Sequence, residues 1–341
     1  MKTNIKTAQN NNTTKSQNKK ITNWHQYGLA LGKRGSFITL VDMAEKRGAF
    51  NAPSRTYSPG RPRKYSDELI VLILIFHELY RLPLRQSVKF TFDVMMALKK
   101  FVSLPDYSTI SRRAAELNIN ILPDNYCLNA RPSIDLLVDS SGFQVHGEGN
   151  WFRRKHGIHS RRMWQKTHIG VDFSSRIILS ITNTPDNVHD NTQLLPLILN
   201  TEQNLRKAHT IQKLSCVIGD GGYDAKDNYS LAKMFGAEFI APPKENAIEH
   251  LNTGRNFQWY DTPGWEGRNE AIRHIEEWGL DGWKADVGYH RRSLVENAFY
   301  RLKIIFGDRM LLRSNENRNT EQLVRVRILN IFTTYGLPKY T

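Results

Sequence analysis

Cysteine is scarce: Cys127 and Cys216 are the only two in a chain of 341 residues. So few exclude a disulfide framework and a four-thiolate zinc centre, and they favour a reducing compartment. Acidic residues are also short, with 33 Asp and Glu against 48 Lys and Arg and a formal charge of +15. That excess suits a polyanion, nucleic acid first and an anionic membrane surface second, although a merely soluble basic protein has the same balance. Long apolar runs are missing as well. The longest, LIVLILIF at 69–76, is far below the roughly 20 residues a bilayer crossing needs. The first twenty residues contain no apolar stretch of the kind a secretory signal carries. A soluble cytoplasmic protein without membrane association is expected, long enough for two domains.

Residues 1–22, rich in Asn, Thr, Lys and Gln, cannot form a core and read as disordered. The basic, extended character continues through SPGRPRKYS, so residues 1–58 are assigned to a tail. Arg61 and Arg63, set between prolines and a glycine, suit an arm in the minor groove of DNA or, equally, a solvated linker. A helical pattern then runs from Asp67, breaks at Pro83 and resumes, followed by PDYSTISRRAAELN. There Ser108 or Thr109 is placed to cap a short helix carrying Arg112 and Arg113. Residues 59–130 therefore form an all-helical unit, either a DNA reader of the helix-turn-helix kind or a bundle without base contacts.

From Ser133 the texture changes to short strands, the start of an expected domain over 131–341. IDLLVD at 134–139 and KLSCVIGD at 213–220 are apolar runs ending in an acid, and KTHIGVDFSSRIILSITNTP reads as a hairpin. Helices are expected over DNTQLLPLILNTEQNLRKA and 226–235, with a strand at AEFIAPP. The order predicts a mixed α/β sheet flanked by helices. Residues 244–287 hold four of the seven tryptophans, Trp259, Trp265, Trp278 and Trp283, without a clear period. They read as an insertion or long loop whose rings pack a core or stack on unpaired bases.

Asp139 and Asp220 each close an apolar strand beside small residues, in VDSSG and GDGGYD. Neighbouring strands would bring the two carboxylates to one sheet edge, where α/β proteins build sites. Charges that close need a cation or a proton. Taken singly, Asp139 can cap a turn and Asp220 can hold its loop by side-chain hydrogen bonds. Glu296 is the lone acid in YHRRSLVENAFYRLKIIFG, residues 289–307, an amphipathic helix with Tyr289, Arg292, Glu296 and Lys303 along one side. It is either a surface residue in i,i+4 pairs or a third ligand. As a set, the three acids suit two Mg²⁺ ions about 4 Å apart acting on a phosphodiester.

Tyr289-x2-Arg292-x3-Glu296-x6-Lys303 resembles the signature of the DDE transposases of IS4/IS5-type insertion sequences. LLVDSSGFQVHG and VIGDGGYD resemble their first and second aspartate motifs. GRPRKYSDELIVLILIFHELYRLPLRQS and LPDYSTISRR resemble the N-terminal region of the bacterial IS5 group. The likeness covers residues 59–335. It implies an RNase H-like catalytic fold, an N-terminal DNA-binding domain, and cut-and-paste transposition through terminal inverted repeats. It also implies Asp139, Asp220 and Glu296 as catalytic metal ligands for Mg²⁺, with Mn²⁺ substituting, and Tyr289, Arg292 and Lys303 as contacts to DNA. The partners expected are double-stranded inverted-repeat and target DNA in the nucleoid, and a homodimer or higher assembly. A silent, transposase-derived repressor and a nuclease that cuts without joining are the competing readings.

His146, His156, His159 and His168 lie beside five basic residues, but zinc would need better spacing or thiolates, so a loop gripping the DNA backbone is expected. GDGGYD is neither a dinucleotide fingerprint nor a P-loop.

Overall fold

The computed structural model describes residues 20–53, 62–124, 126, 132–145, 164–210, 212–249 and 262–341. Helices α1 (Trp24–Arg34), α2 (Phe37–Lys46), α3 (Asp67–Tyr80), α4 (Leu84–Ala97) and α5 (Tyr107–Ala114) come first. Then follow β1 (Ser133–Val145), β2 (Trp164–Asp172), β3 (Ile178–Pro185), α6 (Leu194–Lys207), β4 (Lys213–Ile218), α7 (Lys226–Met234) and β5 (Glu238–Ile240). The chain closes with α8 (Thr262–Asp286), α9 (Ser293–Phe306), β6 (Arg309–Met310) and α10 (Asn315–Tyr335).

The sheet has the order β3-β2-β1-β4-β5. β1 pairs antiparallel with β2 and parallel with β4, so the sheet is mixed, as the sequence predicts. Leu136, Leu137 and Val138 are all fully buried, which means that both faces of β1 are covered. Pairing with β4 ends at Leu137 and pairing with β6 begins at Gln144. Among the described residues, that leaves 138–143 without a strand partner on this side, and there the site forms.

α3 explains the apolar run. Every residue from Leu69 to Glu78 is buried, because this helix is enclosed on all sides. Ser66 caps it, its hydroxyl accepting from the Leu69 amide. α10 is enclosed as well and carries charge inward. Arg325, fully buried, donates to Glu78 on α3 and to Glu321 on α10, and Glu321 accepts the Leu311 and Leu312 amides. One continuous apolar core contains side chains of α3 and of the sheet. No helix among the described residues is long and apolar enough to cross a membrane.

Four expectations need correction. The stretch assigned to a tail over 1–58 contains α1 and α2; Ser36 caps α2, and Ile21 bridges to Tyr340 near the C-terminus. Residues 1–19 and Arg61 lie outside the described residues. The segment 244–287 is largely helical, because α8 covers Thr262–Asp286. Its two helical pieces meet at Gly279, with φ at 74°, and that break in phase hides the period. α5 is capped by neither Ser108 nor Thr109 but by Asp106, whose carboxylate accepts the Ser108 amide. Finally, β1 continues past Asp139 to Val145, so Asp139 stands inside the strand and not at its end.

Candidate active site

Register places the two aspartates side by side. Leu137 and Ile218 are partners across the parallel β1–β4 pair. Asp139 and Asp220 each lie two residues further on, where the strands part. Asp139 is buried, and its Oδ1 accepts the Ser140 amide at 2.8 Å. Asp220 caps the 3₁₀ turn Gly221–Tyr223, its Oδ1 accepting the Gly222 amide at 2.9 Å. A Cβ on Gly222 would lie 3.0 Å from Asp220 Oδ1 and 3.4 Å from Asp190 Oδ2, so a side chain there would press on both carboxylates.

The third acid arrives on α9. The segment expected as one helix from Tyr289 begins instead with a 3₁₀ turn, Tyr289–Arg292, before α9 proper. Gly288, at φ 64°, turns the chain into it, a conformation glycine adopts without strain. Arg291 pins the turn to β1 through an ion pair with Asp135 at 2.7 Å. α9 buries Val295, Ala298, Phe299, Leu302 and Phe306, each side chain worth about 1.5–3 kcal/mol apart from alanine. That packing fixes the helix and leaves Glu296 on its outer side.

All three acids converge on Arg292. Its Nη1 donates to Glu296 Oε1 at 2.5 Å, and its Nη2 donates to Asp139 Oδ2 at 3.3 Å and lies 3.9 Å from Asp220 Oδ2. Burial pushes the Asp139 carboxyl up to about 6; Arg292 and the Ser140 amide oppose this, while Asp220 and Glu296 add to it. Tyr289 stands at the same site with its ring against Trp283. Burial, with the nearby carboxylates, pushes its hydroxyl up to about 12, so it remains a donor.

Residues 131–331 match the family model described as the transposase DDE domain, and residues 32–148 match a second model of the same description. The chain belongs to the DDE transposase family. Similar solved structures include a piggyBac transposase synaptic complex with hairpin DNA, 9% identical over 94% of this chain and 77% of that one, with a TM-score of 0.37. A Drosophila P element transposase strand transfer complex is 10% identical over 89% of each chain, with a TM-score of 0.27. A Mos1 transposase paired-end complex is 11% identical over 70% of this chain and 85% of that one, at 0.23.

DDE transposases generally use divalent cations, and the three acids are of the oxygen-donor type such ions take, although Arg292 now occupies the space between them. The acids come from three elements, and among the described residues Arg292 is the cation paired with all of them. Arg292 stands between them, and among the described residues no three His, Cys, Asp or Glu side chains are grouped closely enough to share an ion.

The other expected residues divide. Lys303 holds its ammonium 5.4 Å from the Phe143 ring, on the part of β1 beyond Asp139. Arg112 is exposed on α5 and Arg63 is half-exposed, in ion pairs with Asp67 and Glu116. Arg113 is a correction: it is buried, with its guanidinium bonded to Asp67 and to the Tyr65 carbonyl, and cannot reach a phosphate without giving up both. Of the histidines, His146, His156 and His159 lie outside the described residues. His168 is fully buried in β2, its Nε2 2.9 Å from Thr184 Oγ1, and faces the protein interior instead of DNA. The sequence reading missed Asp190 and the Asp224–Arg268 pair at 3.0 Å that holds α8 to the Gly221–Tyr223 turn. The only signal for the latter was the second acid of GDGGYD.

Proposed function

We propose that this chain is an insertion-sequence transposase of the IS5 group that binds terminal inverted repeats, cuts DNA strands and joins them to a target. One observation carries the reading: acids from β1, from the end of β4 and from α9 meet at a single guanidinium. The strand order, antiparallel on one side of β1 and parallel on the other, supports an RNase H-like catalytic fold.

Asp139, Asp220 and Glu296 would hold divalent metal, Mg²⁺ with Mn²⁺ able to substitute. When bound, such ions activate a water or a 3′-hydroxyl and stabilise the leaving oxygen of a phosphodiester. Arg292 supplies the acids' counter-charge and, with Lys303, meets the phosphates of the bound strand. Tyr289, protonated at neutral pH, donates a hydrogen bond to the same backbone. Arg112 and Arg63 of the helical region 59–130 grip the duplex of the inverted repeat. Pairing of two element ends calls for a dimer or larger assembly, working on nucleoid DNA in the cytoplasm.

The test incubates the protein with Mg²⁺ and a duplex bearing the element end. Joined product is expected from the wild type. None is expected from Asp139→Ala, Asp220→Ala or Glu296→Ala, each of which retains end binding. Cut but unjoined DNA would indicate a nuclease, and binding without cleavage a silent DNA-binding protein.

A further inference from the structure

Behind the two aspartates lies a fourth carboxylate that the reaction as described leaves unused. Asp190, in the 3₁₀ turn Asp190–Gln193 ahead of α6, is mostly buried and lies against β2. Its Oδ1 lies 2.7 Å from Lys166 Nζ and 3.3 Å from His168 Nδ1, both on β2. Ser140 on β1 is the register partner of His168, and its hydroxyl is among the groups that lower the Asp190 carboxyl. Its Oδ2 lies 3.4 Å from the position a Gly222 Cβ would take, the same spot that is 3.0 Å from Asp220 Oδ1. Asp190 thus lies beside both residues that orient the aspartates, since the Ser140 amide is bonded to Asp139 and the Gly222 amide to Asp220.

Burial works to raise the Asp190 carboxyl, but the nearby His168, Lys166 and Ser140 outweigh it and hold it down at about 2. A second, independent feature points to the same place. The Tyr223 hydroxyl is fully buried and, among the described residues, has no hydrogen-bond partner. The charges acting on it are Asp190 first, then Asp139 and Asp220, and with burial they hold it protonated. A buried donor facing three acids is satisfied by a bridging water or by a carboxylate oxygen that turns toward it.

We infer that Asp190 is a positioning residue for the proposed metal site: through the Ser140 hydroxyl on one side and the Gly222 turn on the other, it sets the spacing of Asp139 and Asp220, and Tyr223 receives the oxygen that turns inward. The inference rests on the reading of Asp139, Asp220 and Glu296 as metal ligands. Outer partners of this kind characteristically govern 10–100-fold in metal affinity or activity.

The experiment titrates Mn²⁺ against the full chain and follows thermal unfolding, with end-duplex binding measured beside it. Wild type should be stabilised by Mn²⁺ and Asp139→Asn should not; no response in the wild type would overturn the metal-site reading itself, and this inference with it. Given a wild-type response, Asp190→Asn should move the Mn²⁺ midpoint up by about 10–100-fold with duplex binding unchanged. An unmoved midpoint would overturn the inference alone. Ser140→Ala removes no charge, yet it too should raise the midpoint, by several-fold. A Ser140→Ala midpoint equal to wild type would show that Asp190 acts only through its charge, and would overturn the positioning role even if Asp190→Asn fails to fold.

Discussion

Arg292 donates to Glu296 Oε1 from one terminal nitrogen at 2.5 Å and to Asp139 Oδ2 from the other at 3.3 Å. The guanidinium therefore occupies carboxylate oxygens that the proposed metal would also need, so the two would compete for one set of oxygens. Arg292→Ala should lower stability in chelator by about 2 kcal/mol, less than the roughly 3–5 kcal/mol for a fully buried pair because Glu296 is largely exposed. The same variant should gain more from added Mg²⁺ or Mn²⁺ than wild type does. Thermal unfolding with and without the ions reads both effects, and an equal gain in the two proteins would mean that Arg292 does not compete.

Arg112 and Arg113 are adjacent in sequence and opposite in fate. The buried Arg113 ties α5 to the Tyr65 carbonyl and to Asp67 at the start of α3, so Arg113→Ala should cost about 1–3 kcal/mol in denaturant unfolding. Arg112 is exposed. Arg112→Ala should leave stability unchanged and reduce the salt dependence of DNA binding by about one unit of slope. A stable Arg113→Ala, or an Arg112→Ala with wild-type slope, would break the division.

The buried group of Glu78, Glu321 and Arg325 sets two carboxylates against one guanidinium. Burial pushes both carboxyls up, Glu321 to about 7. A group whose folded value exceeds its unfolded one holds its proton more tightly in the fold. Its contribution to stability is complete below the unfolded value, near 4.5, and is lost as pH rises through about 7. Unfolding free energy should thus decline between those limits for wild type, and less steeply for Glu321→Gln. Parallel pH profiles for the two would exclude Glu321 as the source.

The period of α9 was legible because the helix has one repeated environment, core on one side and something else on the other, and the β2–β3 hairpin was legible as two apolar runs around DFSSR. The three acids were legible as strand-end and helix features, although Asp139 stands inside β1; a run of buried residues does not announce where a strand loses one neighbour and gains another. α8 escaped because Gly279 resets its phase. Arg113 was misread as a DNA contact because nothing local distinguishes an exposed arginine from one drawn inward by a carboxylate distant in sequence. Asp190 escaped for a related reason. Its meaning lies in Lys166, Ser140 and Gly222, none of them near it in the chain, and only the strand order β2-β1-β4 assembles them.

Lys303 lies seven residues beyond Glu296, nearly two helical turns, so both face the same way along α9. Its ammonium rests 5.4 Å from the Phe143 ring, a contact worth about 0.5–1 kcal/mol at a partly exposed site. Two roles are therefore open to the charge, holding α9 to β1 or meeting a phosphate next to the acids. Lys303→Met separates them by keeping the stem over the ring and removing only the charge. If the phosphate role dominates, unfolding of Lys303→Met should change by less than about 1 kcal/mol while the salt slope of end binding drops by about one unit. A wild-type slope would assign the residue to the helix–sheet contact alone and leave Arg292, in the turn ahead of α9, as the cation at the acids.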